Sequence, residues 1–105
     1  MKMIITTSNE VPGKEVKKIL GVVTGNTIRA RHVGRDIMAG FKNMIGGEIK
    51  SYTSMMTQSR EEAYNRMVNM AIDMKADAII GLRFTTSMVM GGAAEILAYG
   101  TAVKF

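Results

Sequence analysis

The chain has 105 residues, of which 47% are hydrophobic and 22% are charged, and its net charge is +5. This length and balance predict one folded domain over residues 1–105 and exclude an intrinsically disordered chain. The absence of cysteine excludes disulfides, iron–sulfur clusters and thiolate metal sites. The longest uncharged stretch, residues 84–94, is too short for a membrane helix, so we expect a cytoplasmic protein without a membrane partner.

The first elements along the chain are extended. Residues 3–7 form a short β-rich run, which ends in the turn-type residues 9–13. Residues 15–23 carry β-branched side chains that favour a second strand, and residues 27–30 continue it beyond a bend. We therefore expect two strands before the first helix.

The spacing of apolar residues then changes to that of helices. From Arg35, apolar side chains recur every three or four residues up to Ile45, which predicts a short amphipathic helix ended by Gly46 and Gly47. A long helix is predicted over residues 48–74. Its apolar stripe consists of Tyr52, Met55, Met56, Ala63, Met67, Met70, Ala71 and Met74.

The last two elements are predicted strands at residues 78–86 and 95–104, with Gly91 and Gly92 as a tight hairpin turn between them. The order of elements predicts an α+β fold, in which one short and one long helix pack on one face of an antiparallel sheet. A two-residue turn would place Met90 opposite Ala93, Phe84 opposite Tyr99 and Arg83 opposite Gly100.

This register divides the hairpin into two faces. The bulkier face, which we expect to meet the helices, carries Ile80, Leu82, Phe84, Met88, Met90, Leu97, Tyr99, Val103 and the lone charge of Glu95. The other face is mostly small and would have no helix to cover it, so we expect it at a subunit contact with Arg83 paired across it. It carries Gly81, Arg83, Thr85, Ser87, Val89, Ala94, Ile96, Ala98, Gly100 and Ala102.

The residue types and their spacing give little support for a catalytic or metal site. The chain has eleven methionines and one histidine, His32, and Met88 and Met90 place two sulfurs on one strand face. Thioethers bind soft metals such as Cu(I), but methionines at helical spacing more often fill a core, so we identify no cofactor and leave the metal ligands unknown. No nucleophile motif or carboxylate pair specifies a reaction, which argues against an enzyme.

Basic residues are concentrated in the first half of the chain, because residues 1–50 hold nine Lys/Arg against four Asp/Glu. Arg29, Arg31 and Arg35 are candidates for binding an anion near the start of the predicted short helix. The basic region from Arg29 to Lys42 could bind nucleic acid or another polyanion, but it lacks interleaved aromatic residues. A solvated basic surface is the favoured interpretation.

Four segments together resemble the YbjQ family of small bacterial proteins, which is described as "putative heavy-metal binding". The resemblance implies an α+β subunit, loosely similar to dodecin subunits, that assembles into a homopentamer with no established reaction. The segments are Leu20-Gly21-Val22-Val23-Thr24-Gly25, Gly46-Gly47-Glu48-Ile49-Lys50-Ser51-Tyr52, Ala76-Asp77-Ala78-Ile79-Ile80-Gly81-Leu82-Arg83-Phe84 and Ala94-Glu95-Ile96-Leu97-Ala98-Tyr99-Gly100-Thr101-Ala102-Val103.

Four polar residues inside these segments, namely Glu48, Tyr52, Arg83 and Glu95, are candidates for a ligand site or an interface because they stand among apolar neighbours. We expect a non-catalytic homopentameric scaffold or small-ligand-binding protein. One alternative is a heavy-metal-binding protein with its site at the oligomer axis or interface. A further alternative is polyanion or nucleic-acid binding through the basic region.

Overall fold

A computed structural model describes residues 2–29, 47–90 and 93–105, and within these ranges it contains four strands and one long helix. The elements are β1 (Ile4–Ile5), β2 (Lys18–Arg29), α1 (Gly47–Asp73), β3 (Ala78–Met90) and β4 (Ala93–Lys104). The α+β class and the long helix are therefore confirmed. The short helix predicted between Arg35 and Ile45 lies outside the described residues.

The four strands form one mixed sheet in the order β1-β3-β4-β2. β4 is antiparallel to both β3 and β2, whereas β1 runs parallel to β3. The prediction of a wholly antiparallel sheet was thus wrong for β1. The turn after β1 does not fold β2 back onto it, because β2 pairs along its length with β4 at the far side of the sheet. β1 is held instead by β3, with Thr6 N donating to Ile79 O at 3.0 Å and Leu82 N to Thr6 O at 3.1 Å.

Two shifts of pairing between β3 and β4 set the register of the hairpin, and the first lies at Gly81. Gly81 has a φ of +64°, a left-handed conformation that favours glycine, and there the pairing of β3 with β4 shifts by one residue. A second shift lies between Met88 and Met90, and it separates the observed pairing of Arg83 and Phe84 from the predicted one. Met90 pairs with Ala93 as predicted, but Arg83 pairs with Tyr99 rather than Gly100. Phe84 likewise pairs with Ala98 rather than Tyr99.

Helix α1 packs on β2 and β4 across a close contact. Gly25 of β2 faces the helix backbone at Ala63 and Met67, where an added Cβ would overlap it. The buried Thr27 hydroxyl donates to Ser59 O at 3.1 Å and joins the same two elements. The central core consists of Val23, Ala63, Met67, Ala71, Ile79, Leu82, Ile96, Ala98 and Ala102.

This core corrects the prediction of which sheet face meets a neighbouring subunit. Gly25 pairs with Ala98, so Ala98 lies on the face under α1 and is fully buried within one chain. The small residues of β4, which the sequence assigned to a subunit contact, lie directly beneath α1 instead. Small side chains there serve the close approach of the chain's own helix. The predicted helical stripe is confirmed at Ala63, Met67 and Ala71, which are fully buried.

The opposite face of the sheet, which we call the open face, is not covered by α1. Val22 is 63% exposed on β2, and Tyr99 is 37% exposed in the middle of β4. Cross-strand partners project from the same side of a sheet, so the pairing identifies the members of this face. They are Val22, Thr24, Asn26 and Ile28 of β2, Glu95, Leu97, Tyr99 and Thr101 of β4, and Arg83, Thr85 and Ser87 of β3.

The helix also leaves part of its own side of the sheet bare. A helix is about 10 Å wide and strands lie about 4.8 Å apart, so one helix covers roughly two strands. α1 lies over β2 and β4 and barely reaches β3. On this side of β3, Phe84 remains 42% exposed and Met88 71% exposed. We call these two residues the β3 strip.

Candidate functional site

Arg83 is held in place by backbone acceptors. It stands on the open face two residues after the Gly81 bulge, and its Nη1 donates to Thr7 O at 2.9 Å and to Leu82 O at 2.7 Å. Nε and Nη2 of Arg83 have no acceptor among the described residues, and the side chain is exposed. Nη1 therefore holds the guanidinium in place, and Nε and Nη2 can still donate to a ligand.

Tyr99 is the direct neighbour of Arg83 across the two strands. Thr24 of β2 pairs with Tyr99 from the other side, so Arg83, Tyr99 and Thr24 form one row across the open face. Neighbours in such a row have Cβ atoms about 5 Å apart. The row combines a cation, an exposed aromatic ring and a hydroxyl. Tyr99 was not among the site residues predicted from the sequence, because the predicted register placed it beneath the helices.

Glu95 belongs to the same face but to a different row. Its Oε2 accepts a hydrogen bond from Asn26 Nδ2 at 2.9 Å, and Arg66 Nη1 of α1 donates to Asn26 O at 2.6 Å. Glu95 pairs with Ser87, four residues along β4 from Tyr99, which separates it from Arg83 by about 13 Å. The structure therefore brings Arg83 and Glu95 onto one face without joining them.

The remaining sequence candidates stay predictions. Glu48 and Tyr52 lie in the first two turns of α1. Arg29 is the last residue of β2, and Arg31 and Arg35 lie outside the described residues. The anion site that these arginines would form is therefore untested.

A polar cluster at the other end of the sheet escaped the sequence analysis. The Asp77 carboxylate accepts a hydrogen bond from Phe105 N at 2.9 Å and one from Lys104 Nζ at 3.4 Å. The Phe105 N–H, followed by the Lys104 ammonium, holds the pKa of Asp77 below its ordinary value of 3.8. A single aspartate in a turn carries no signal of partners 27 and 28 residues away.

Asp77 also lines a cavity of about 240 Å³ together with Lys2, Met3, Ile72 and Ala76. Its carboxylate is already bonded to the C-terminal strand and residue, and most of the remaining lining is apolar. This arrangement fixes the end of β4 to the turn before β3. We assign it a structural role.

Metal ligands are not gathered in the part of the chain that the structure describes. Within residues 2–29, 47–90 and 93–105, no three His, Cys, Asp or Glu side chains cluster as a metal site would require. The methionines are spread over different environments: Met67 is buried in the core, and the sulfur of Met70 accepts a hydrogen bond from Thr24 N at 3.5 Å. These described donors do not fit a transition-metal centre.

None of the described helical segments is apolar over the length needed to cross a bilayer.

The chain is similar to a family of proteins without an assigned activity. The model of the YbjQ family, described as "Putative heavy-metal-binding", matches residues 3–105. A UPF0145 protein of Methanoculleus marisnigri is 60% identical over 102 residues, which cover 97% of this chain and 95% of that protein. A second, from Archaeoglobus fulgidus, is 59% identical and covers 98% and 95% of the two chains. A third, UPF0145 protein VP1283 of Vibrio parahaemolyticus, is 56% identical with 97% of each chain covered.

These relatives come from archaea as well as bacteria, so the expected restriction to bacteria is not supported. Among solved structures, a Pediococcus pentosaceus protein of unknown function from the DUF74 family has the same fold, with a TM-score of 0.63. That match covers 98% of this chain and 97% of the other at 23% sequence identity, and it therefore bears on the fold alone.

Proposed function

Because this chain belongs to the YbjQ family, we propose that it is a non-catalytic, homo-oligomeric protein that binds a small molecule in the cytoplasm. The resemblance of its sequence segments favours a pentamer of dodecin-like subunits. The proposal concerns the assembly and the class of activity. The proposal includes no catalysed reaction, because the described side chains do not combine a nucleophile, a base and a group that orients them.

The β3 strip is the observation that carries the assembly. Phe84 and Met88 are large apolar side chains on the helix side of the sheet, where α1 covers only β2 and β4. Exposed apolar surface of this kind marks sites of protein–protein contact. A second copy that covered the strip would complete the layer of helices over the sheet.

A ring with five members needs two different patches, since each subunit contacts its neighbours head to tail. The surface of α1 offers a second exposed apolar side chain, because Ile72 is 54% exposed. We therefore pair the β3 strip of one subunit with the region around Ile72 of the next.

The test of the assembly compares two substitutions that each replace an apolar side chain by a cation. Light scattering on a sizing column, supported by native mass spectrometry, should give a five-subunit mass for the unmodified protein. Phe84→Lys should reduce that mass to the monomer and leave the circular dichroism spectrum intact. Val22→Lys on the open face is the matched control and should remain pentameric. A monomeric unmodified protein, or dissociation by Val22→Lys alone, would contradict the proposal.

The ligand-binding part has its own measurement. Native mass spectrometry of freshly purified protein should show a small molecule bound in a fixed ratio to the subunits. Turnover of that molecule during incubation would show that the protein is an enzyme and would overturn the non-catalytic assignment.

The two alternatives predict different measurements. Heavy-metal binding at an oligomer axis or interface predicts about one Cu(I), Zn(II) or Cd(II) per subunit or per ring after dialysis, measured by elemental analysis. Polyanion binding through the Arg29–Lys42 region predicts a DNA or RNA affinity that falls steeply with salt. The described donor sets favour neither of them over a small organic ligand.

A further inference from the structure

We infer that the open face binds a planar aromatic ring that carries an anionic group, with the ring stacked on Tyr99 and the anion held by Arg83. This inference rests on the proposed small-ligand function and names the chemistry of its ligand. It uses the open face, which the proposed subunit contacts leave free.

Tyr99 supplies the stacking surface. It lies on the middle strand of the three that form the open face and is 37% exposed, although the strands on both sides pack against it. A tyrosine in this position is held by its neighbours and presents part of its ring to solvent. Aromatic side chains on a sheet are used in this way to stack flat ligands, and stacking tolerates many ring types because every such ring has a π-face.

Arg83 supplies the charge. Its Nη1 is anchored to Thr7 O and Leu82 O, so the guanidinium is ordered before a ligand arrives. Nε and Nη2 remain as donors, and the hydrogen bonds of the Arg83 guanidinium are with backbone carbonyls rather than with a carboxylate of the described residues. A planar guanidinium with free donors suits a carboxylate or a phosphate, because each offers two oxygens in a matching geometry.

Polar groups surround Tyr99, so we expect the stacked ring to carry hydrogen-bonding groups at its edge. Thr24 stands beside Tyr99 on the side away from Arg83, and Asn26 and Glu95 form a bonded pair farther along the same face. Hydroxyl, amide and carboxylate groups can bond the edge of a heterocycle. The protein's net charge of +5 also favours an anion over a cation as it approaches this face.

A second copy of the chain fits this face less well than an anionic ligand does. A self-complementary contact would bring Arg83 of both copies into one interface, with Glu95 already bonded to Asn26 and about 13 Å away. Burying that unpaired charge would cost the interface stability. A bound anionic ligand would pair with Arg83 and so avoid the cost of burying its charge without a partner.

Calorimetric titration of the intact protein with AMP, adenosine and ribose 5-phosphate tests the inference. AMP should bind with one site per subunit, and adenosine and ribose 5-phosphate should each bind more weakly because each lacks one of the two recognised groups. Tyr99→Leu should weaken AMP binding at least about fivefold, whereas Tyr99→Phe, which keeps the ring, should preserve it. Arg83→Gln should remove the advantage of AMP over adenosine, and Arg83→Lys should retain part of it.

A short oligonucleotide, pentaadenylate, separates the two sources of this chemistry. Binding of AMP without a gain from pentaadenylate assigns the site to free nucleotide-like molecules, and tighter binding of pentaadenylate assigns it to a nucleic-acid strand. Absence of binding for both at millimolar concentration overturns the inference. So does AMP binding that Tyr99→Leu and Arg83→Gln leave unchanged. Light scattering on the same samples reports the assembly, so a failed titration of a pentameric protein contradicts only the ligand assignment.

Discussion

Gly25 allows the helix to approach the sheet, and Gly25→Ala is expected to be strongly destabilising. The added Cβ would overlap the backbone of α1 at Ala63 and Met67 and would also press on Arg66 Cβ. Two of these contacts are with main-chain atoms, so no side-chain rotation relieves them. The helix itself has to retreat from β2 by about 1 Å to restore ordinary contact distances.

That displacement sets the size of the effect. A gap of about 1 Å removes a quarter to a half of the dispersion attraction between surfaces that were in contact. The side chains beneath the helix, with Met67 the largest, are fully buried and would lose contacts along the whole seam. Overpacked cores lose about 1–3 kcal/mol and occasionally more, and we expect a loss of about 3 kcal/mol because a whole helix moves.

Urea denaturation followed by circular dichroism measures this loss. With a typical urea dependence for a small domain, the midpoint should fall by about 2 M. Gly13→Ala is the matched control, since its Cβ would meet nothing within 4 Å and only its φ of 79° is unfavourable, at about 1 kcal/mol. Both variants are measured at one protein concentration because assembly adds to apparent stability. If Gly25→Ala lost no more stability than Gly13→Ala, the proposed close contact between helix and sheet would be refuted.

Two further predictions concern the polar cluster and the core. Because the N–H of Phe105 and the ammonium of Lys104 lower the pKa of Asp77 below 3.8, the folded state gains stability above that value and loses it as the pH falls through the lowered pKa. The urea midpoint of Asp77→Asn should therefore lie below that of the unmodified protein near neutral pH and approach it as the pH falls below 3.8; a difference that does not change with pH would contradict this. Ala98→Glu should unfold the chain, because it places an unpaired carboxylate in a fully buried position, and a folded variant with an unchanged thermal midpoint would show that α1 does not cover β4.

The sequence alone was sufficient for the long helix, the β3–β4 hairpin and the α+β class. The long helix was predicted at residues 48–74 and is observed at Gly47–Asp73, because its apolar residues repeat at helical spacing over many turns. The β3–β4 hairpin with its pair Met90–Ala93 was predicted from the two glycines between β-rich runs. Both signals are local, so no distant part of the chain is needed to interpret them.

The candidate site was only partly predictable for the same reason. Arg83 and Glu95 were chosen as polar residues among apolar neighbours, and the structure places both on the open face. Tyr99 was missed, since its exposure depends on the register between β3 and β4. The two-residue turn that the sequence indicates does not report the shift of pairing between Met88 and Met90.

Tertiary structure decided which face of the sheet the helix covers. Side chains alternate along a strand, so the shift of pairing between Met88 and Met90 moves Phe84 and Arg83 to the opposite faces from those expected relative to β4. β1 joins β3 in parallel rather than β2, because β2 is already paired along β4 on the other side of the sheet. Local sequence determined where the strands and the helix are, because their periodicity is set within a few residues. The pairing across distant strands decided which side chains they bury and which remain on the open face.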